Sequence, residues 1–97
     1  MKRIAIRPQA RIELLEAADW YEARSEDLRA AFLRAFDATI ANVVRHPLGY
    51  QVVFGAVRRA MLRRFPYAII YRVDEGEIVV VACIHGARDP VEWRNRV

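Results

Sequence analysis

The apolar residues in the first half of the chain recur at the spacing of two helices. Pro8 suits the first turn of a helix running to about Arg24, because its missing N–H would find no partner inside the helix. Ser25 is placed to cap a second helix that continues to Arg45 and ends before Pro47. The apolar stripes are Leu14, Ala17, Ala18 and Tyr21 on the first helix, and Leu28, Phe32, Ala35, Thr39 and Val43 beside Leu33, Phe36, Ile40 and Val44 on the second. So short a connection predicts an antiparallel helical hairpin.

The pattern becomes that of β-strands at the start and in the second half of the chain. The strand candidates are Lys2–Arg7, Val57–Arg64, Tyr67–Val73 and Glu77–His85. Asp74-Glu75-Gly76 predicts a tight hairpin between the last two, and the continuous apolar run Ile78–Ile84 predicts an interior strand covered on both faces. The order therefore predicts an α+β fold, β-α-α-β-β-β, in which the helical hairpin packs on a small, mainly antiparallel sheet. A short tail follows from Asp89 to Val97.

The length and hydropathy of the chain predict a single cytoplasmic domain. Its 97 residues fit one domain spanning residues 1–97. No apolar run approaches the roughly 18 to 20 residues of a membrane-spanning helix, and the first residues lack the apolar core of a secretory signal. We therefore expect no membrane partner. Cys83, the single cysteine, lies inside the apolar run of the last strand, which predicts a buried packing residue and not a nucleophile.

Motifs for cofactor binding and metal ligation are missing from the sequence. The four glycines are scattered at turns, so neither a phosphate-binding loop nor a dinucleotide fingerprint can form. His46 and His85 have no ligand spacing between them, and the sole serine, Ser25, is better suited to capping a helix than to nucleophilic attack. We therefore expect no cofactor and no metal.

The arginines are concentrated in one part of the chain. There are fifteen arginines and one lysine, the net charge is +4, and Thr39–Val73 contains no acidic residue. Strand alternation places Arg59, Met61 and Arg63 on one face, and Arg58, Ala60, Leu62 and Arg64 on the other. An unpaired group of guanidiniums indicates an anionic partner. The alternatives are arginine-favouring codon usage and charges that protect a strand edge from aggregation.

The residues after the last strand allow two interpretations each. His85 at the strand end is either a hydrogen-bonded structural residue or a proton-transfer group. Trp93 either packs the tail onto the domain or forms an exposed contact with another protein.

Three segments, taken in order, carry a family resemblance. They are Glu16–Glu22 on the first helix, Arg58-Arg59 with Leu62–Arg72 on the strands, and His85–Trp93 after the last strand. Together they resemble the RelE/ParE superfamily of toxins from bacterial type II toxin–antitoxin modules, over nearly the whole chain. The resemblance implies a cognate antitoxin that wraps the toxin in a hetero-oligomer and neutralises it. It also implies that promoter DNA is bound only through the antitoxin.

This superfamily has two functional branches, and the sequence is more similar to the ParE branch. The RelE branch cleaves mRNA on the ribosome with a base, an acid and cations. Lys2 is the only lysine here, so the lysines of RelE-type sites are missing. A metal-independent endoribonuclease would have to rely on His85, Arg63, Arg72 and Tyr71. The ParE branch poisons DNA gyrase through a binding surface without catalytic residues, and the long hairpin and the His-Gly-Ala-Arg-Asp-Pro ending resemble it.

We therefore predict a ParE-like toxin of the plasmid-stabilisation type, which poisons DNA gyrase and is neutralised by a ParD-like antitoxin. Ribosome-dependent cleavage of mRNA is the alternative, and a non-catalytic nucleic-acid-binding module is a second alternative. The predicted contacts with the target are Arg58, Arg59, Arg63, Arg64, Arg72, His85, Arg88 and Trp93. The predicted contacts with the antitoxin are Leu14, Trp20, Tyr21, Phe32, Phe36, Arg63 and Arg72.

Overall fold

Helices and strands combine in an α+β fold built on one sheet. The computed structural model describes residues 2–97 and contains, in chain order, β1 (Arg3–Ile6), α1 (Pro8–Glu22), α2 (Glu26–Arg45), β2 (Gln51–Phe54), β3 (Val57–Met61), β4 (Tyr67–Asp74), β5 (Glu77–His85) and α3 (Val91–Arg94). The five strands of these residues form one sheet in the order β1-β5-β4-β3-β2. Only β1 is parallel to its neighbour, β5; the other pairs are antiparallel. The predicted fold class is confirmed.

Helix boundaries follow the signals in the sequence. Pro8 occupies the first turn of α1, as its missing N–H predicts. Ser25 takes the extended backbone of an N-cap before α2, although its hydroxyl makes no capping hydrogen bond. Glu26 and Asp27 fill the first turn of α2, where the helix dipole favours negative charge. Among residues 2–97, no helix combines the length and hydropathy that a membrane crossing requires.

The helical hairpin packs its apolar stripes on one face of the sheet. The buried residues are Ala10, Leu14, Ala17, Ala18 and Tyr21 on α1, and Phe32, Phe36, Thr39 and Val43 on α2. Tyr21 and Phe32 stack with ring centroids 5.2 Å apart, and the Phe65 ring meets both of them edge-on. Aromatic pairs of this kind add about 0.5 to 1.5 kcal/mol each beyond the burial of their area.

The β4–β5 hairpin is the centre of the structure and is buried on both faces. The side chains of Ile69, Tyr71, Ile78, Val80 and Cys83 face the helices, and those of Ala68, Ile70, Val79, Val81, Ala82 and Ile84 face the opposite side. Ile70 pairs with Ala82 while Tyr71 pairs with Val80, so Val81 is the extra residue of a β-bulge. The prediction that Ile78–Ile84 forms an interior strand covered on both faces is confirmed.

The C-terminal residues cover the second face of the sheet. Trp93 on α3 is 3% exposed and packs among the apolar residues of that face, with its ring edge-on to Phe54. Arg96 then ties the tail to α1 by two N–H···O contacts with the Glu13 carboxylate, at 2.8 and 3.0 Å. Glu13 also accepts the backbone N–H of Cys83 at 3.1 Å. The short tail predicted from the sequence therefore contains a helical turn and covers the second face of the sheet.

The arginine-rich strand is shorter than predicted. The strand expected over Val57–Arg64 ends at Met61. The Leu62 N–H still bonds the Tyr67 carbonyl at 2.9 Å, and the chain then turns through a loop in which Arg64 has φ 71°. Arg63 and Arg64 consequently lie in that loop and not on a strand.

β2 was not predicted at all. It is a four-residue edge strand whose Val52 and Phe54 are more than two-fifths exposed, so it shows no alternation of buried and exposed positions. Gly55, with φ 56°, forms the turn between β2 and β3 in a backbone conformation that glycine adopts without strain.

The segment between α2 and β2 is held by hydrogen bonds from the sheet. The buried Tyr71 hydroxyl donates to the Pro47 carbonyl at 2.6 Å. The Arg58 guanidinium donates to the carbonyls of Leu48 and Tyr50 at 3.1 and 2.7 Å. These contacts fix the end of α2 against β3 and β4.

Tyr71→Phe tests how much the first of these bonds contributes. The variant removes only the hydroxyl, so the Pro47 carbonyl loses its partner, and we expect the free energy of unfolding to fall by about 1 to 2 kcal/mol in urea denaturation. Tyr67→Phe is the matched control, because the Tyr67 hydroxyl makes no hydrogen bond within residues 2–97. The control is expected to change stability by less than about 0.5 kcal/mol. Equal losses in both variants would contradict the assignment.

Candidate functional site

The arginines predicted to form one surface lie in different places. Arg58 is on the helix side of β3, where it bonds backbone carbonyls. Arg59 is exposed on the opposite side and donates to the Gln51 side chain at 3.2 Å. Arg72 is partly buried and pairs with Asp74, two residues along β4, at 3.0 Å. Arg58 and Arg59 therefore lie on opposite faces of β3, as the predicted alternation requires, and both are within the shorter strand that is observed.

A groove of about 550 Å³ runs between α2 and the end of β3. This α2–β3 groove is lined by Ala31, Arg34, Ala35, Ala38, Thr39, Asn42 and Arg45 of α2, with Tyr50, Met61, Arg63 and Arg64 opposite. Its lining contains four arginines and no acidic residue. Among the ion pairs of residues 2–97, none involves any of the four.

Arg34 and Arg45 were not predicted as site residues. Both lie on the side of α2 that also carries Ala31, Ala35 and Ala38, a stripe offset from the buried one. That spacing was visible in the sequence. What it could not show is that the loop after β3 lies opposite this stripe.

Arg64 has an unusual backbone conformation. Its φ is 71°, the only positive value at a non-glycine residue within residues 2–97. The left-handed region costs a non-glycine residue roughly 1 to 2 kcal/mol. The conformation directs the Arg64 guanidinium over the Phe65 ring, 5.6 Å from its centroid, at the edge of the α2–β3 groove. Strain of this kind is concentrated at functional sites.

A second cleft, of about 320 Å³, lies between β2, β3 and the C-terminal residues. We call it the tail cleft; it is lined by Gln51, Val52, Val53, Arg59, Ala68, Ile70, Ile84, His85, Gly86, Arg88, Pro90, Trp93 and Arg94. It brings together the predicted target contacts Arg59, His85 and Arg88. Arg88 is exposed and also pairs with Glu92 at 3.0 Å. Trp93 is buried and forms part of the cleft wall, which agrees with the interpretation that it packs the tail onto the domain.

The four residues that an endoribonuclease would need do not all converge. His85 pairs with Tyr67 across β4 and β5, whereas Tyr71 and Arg72 lie four and five residues further along β4, roughly 13 Å or more away. Arg63 lies in the loop after β3, at the end of the sheet that holds His85, since Pro66 of that loop accepts the Gly86 N–H. Burial raises the pKa of the Tyr71 hydroxyl, which makes it a weaker acid.

His85 has a structural hydrogen bond. Its Nδ1 accepts the Ala87 N–H at 3.0 Å, which requires that nitrogen to be unprotonated and places the ring proton on Nε2. The ring also meets the Tyr67 ring edge-on at 5.3 Å.

Most of the predicted antitoxin contacts lie inside the core. Four of them are less than a tenth exposed and pack in the core below the helix surface: Leu14, Tyr21, Phe32 and Phe36. Trp20 is 49% exposed on α1, and the Arg24 guanidinium stacks on its ring at 3.2 Å from the centroid.

Comparison with known proteins identifies the family. Residues 4–90 match the family described as ParE toxin of type II toxin-antitoxin system, parDE. The chain belongs to the ParE toxin family. The match covers both helices of the hairpin, β2 to β5 and all of β1 except Arg3, so it includes the α2–β3 groove and most of the tail cleft.

A solved structure supports the ParE fold independently. The chain is similar to a chain of the chromosomal ParDE TA system from P. aeruginosa, with a TM-score of 0.76 and 19% sequence identity. The alignment covers 88% of this chain and 96% of that chain. At this identity the likeness shows a common fold. A comparison with curated proteins found no match.

Two variants at position 64 test the backbone strain. Arg64→Gly and Arg64→Ala both remove the guanidinium, but only glycine enters the left-handed region without a steric cost. We expect the glycine variant to be more stable than the alanine variant by about 1 kcal/mol in thermal or urea denaturation. An alanine variant as stable as the glycine variant would show that the loop relaxes and stores no strain.

Cys83 gives a test of burial by its reactivity. Burial, with the nearby Glu13 charge as a second cause, raises the pKa of the Cys83 thiol to about 12. A disulfide reagent at pH 8 should therefore react slowly with the native protein and quickly in denaturant. The raised pKa also predicts that stability contributed by the protonated thiol is lost as pH rises from about 9 towards 12. Rapid labelling of the Cys83 thiol in fully native protein would contradict its burial.

Proposed function

We propose that this member of the ParE family inhibits growth by poisoning DNA gyrase, and that a ParD-like antitoxin neutralises it in a hetero-oligomer. One contrast supports the proposal. The α2–β3 groove presents four exposed arginines without acidic partners, whereas two of the four candidates for RNA cleavage, Tyr71 and Arg72, lie roughly 13 Å or more from His85. Binding to a large partner needs only a surface, and cleavage needs groups held within hydrogen-bond reach of the reacting atoms.

The tail cleft is the target contact that we favour. Arg59 and Arg88 are exposed there beside His85, each with one side-chain partner, Gln51 and Glu92 respectively. Arg58 and Arg72 are only partly exposed and bond backbone carbonyls or Asp74. Two cations beside an apolar wall suit a mixed surface that includes protein and the phosphates of gyrase-bound DNA.

The antitoxin contact is expected on the hairpin and the groove. Trp20 offers a large exposed ring on α1, and Arg63 offers a free cation beside α2. Exposed aromatic and arginine side chains are the residue types that carry most binding energy at protein interfaces. Promoter DNA is then contacted through the antitoxin and not by this chain.

Ribosome-dependent cleavage of mRNA is the second candidate. The observation that favours it is the position of His85 in a cleft that also holds Arg59 and Arg88. Such a cleft could bind a phosphate and transfer a proton without Tyr71 or Arg72.

A growth experiment and a supercoiling assay test the proposal together. Induction of the gene alone should arrest growth, and co-expression of the neighbouring antitoxin gene should restore it. The purified protein should inhibit gyrase supercoiling and accumulate cleaved DNA, while mRNA in a translating extract stays intact. Ribosome-dependent cleavage that is abolished by His85→Ala would select the second candidate. Salt-dependent binding of free DNA or RNA without inhibition of either process would indicate a nucleic-acid-binding module instead.

A charge reversal locates the target contact. Arg59→Glu should weaken gyrase inhibition at least about tenfold, because a carboxylate would then face an anionic surface. Arg11→Glu changes the net charge by the same amount on an exposed position of α1 and should leave inhibition within about twofold. Equal loss in both variants would remove the tail cleft from the proposal, and circular dichroism checks that both remain folded.

A further inference from the structure

The outer edge of β5 is paired with a strand over only part of its length. The pairing with β1 ends where Ile6 lies opposite Val80, and the last backbone bond runs from the Arg7 N–H to the Val80 carbonyl at 3.0 Å. The chain then enters α1, whereas β5 continues to His85. Within residues 2–97, Val81–His85 therefore has β4 on one side and no strand on the other.

Two side chains occupy the position that a neighbouring strand would take. The Glu13 carboxylate accepts the Cys83 N–H at 3.1 Å, and the Arg96 guanidinium donates to the Val81 carbonyl at 3.3 Å. The two side chains also bond each other at 2.8 and 3.0 Å. They thus provide one acceptor and one donor, as a paired strand would do for an N–H and a C=O on the same edge. We call the Glu13–Arg96 pair the edge clamp.

The edge clamp is the least exposed ion pair within residues 2–97. Its side chains are 11% exposed for Glu13 and 23% for Arg96, whereas every other pair has a partner that is more than two-fifths exposed. Removing two charges from water offsets much of their attraction, so the net stability that such a pair adds is a weak reason for its presence. A small cleft of about 190 Å³ is lined by Glu13, Cys83 and His85 among others, so solvent lies close to this edge.

The strand behind the edge clamp has the composition of a segment that pairs with copies of itself. Ile78–Ile84 contains neither charge nor proline nor glycine, and most of its residues are β-branched. Segments of this kind form intermolecular sheets when their edge is unpaired. Because the segment is uncharged, two copies meet along it without repulsion. A second copy of the chain is therefore the partner that this edge fits.

We infer that the edge clamp closes the outer edge of β5 against pairing with the same edge of a second copy of this chain. With the clamp open, Val81–His85 of two copies aligns antiparallel about a two-fold axis and joins the two sheets. Arg96 belongs to the residues after α3, so the C-terminal tail acts as a strap across this edge. The inference concerns self-association and is independent of the proposed action on gyrase.

Arg96→Met tests the edge clamp in the full chain. Methionine retains an apolar stem but no guanidinium, so the Val81 carbonyl and the Glu13 carboxylate lose their donor. We expect hydrogen exchange of the Cys83 amide, followed by NMR in dilute protein, to become at least about tenfold faster. In analytical ultracentrifugation, the concentration at which half of the protein is associated should fall at least about tenfold.

Arg72→Met is the matched control. The Arg72 side chain is 25% exposed and pairs with Asp74, so the substitution removes the same charge from an ion pair on β4, away from the outer edge of β5. Both measurements should stay within about twofold of the parent. Unchanged exchange and association in Arg96→Met would overturn the inference. Faster Cys83 exchange without association would exclude a second copy as the partner, and association with Cys83 still protected would place the contact elsewhere.

Exchanging the two charges distinguishes the edge clamp from a simple tie between the tail and α1. Glu13→Arg combined with Arg96→Glu preserves the net charge and permits an ion pair. It also places a donor opposite the Cys83 N–H and an acceptor opposite the Val81 carbonyl, so neither backbone group is satisfied. We expect this protein to associate as Arg96→Met does. Recovery of the parent's behaviour would show that only the ion pair matters and would contradict the clamp. Circular dichroism and thermal melting check that every variant is folded.

Discussion

The structure depends on one constraint, which is that the β4–β5 hairpin is apolar on both faces and needs a cover on each. The helical hairpin covers one face, and the C-terminal residues with Trp93 cover the other. Glu13 joins the two covers, because its carboxylate holds Arg96 of the tail and the Cys83 N–H of the strand between them. A carboxylate with little exposure is tolerated only when its oxygens are paired. Within residues 2–97 no buried side-chain polar atom lacks a partner.

This architecture gives different surroundings to different arginines. Arg58, Arg72 and Arg96 bond carbonyls or carboxylates of the chain and hold loops, strand and tail in place. The arginines of the α2–β3 groove make no such ion pair, and they lie where α2 and the loop after β3 face each other. Some arginines therefore stabilise the fold, whereas those of the groove have no ion pair within residues 2–97.

The parts of the fold with strong periodicity could be predicted from the sequence. Both long helices and the β4–β5 hairpin follow apolar patterns that span several turns or strand positions, and their buried faces are the expected ones. The end of β3 could not be predicted, because Leu62 continues the alternation and the chain turns only after it, where Arg64 adopts a positive φ. β2 is too short and too exposed at the sheet edge to have a pattern.

For the candidate site, the sequence showed which residue types are present but not which groups each of them contacts. Arg72 is occupied by Asp74, and Phe32 and Phe36 are core residues, whereas Arg34 acquires its position only through the loop opposite α2.

The parallel pairing of β1 with β5 has a consequence for synthesis of the chain. Arg3 pairs with Glu77 and Ile6 with Val80, so the first strand to be made has its only sheet partner near the other end of the sequence. Contacts so distant in sequence form slowly, whereas the α1–α2 hairpin closes locally. At about 5 to 20 residues per second, β1 waits several seconds on the ribosome before β5 has been translated. The finished sheet, and with it the tail cleft, therefore arises only late in translation, when nearly the whole chain has been made.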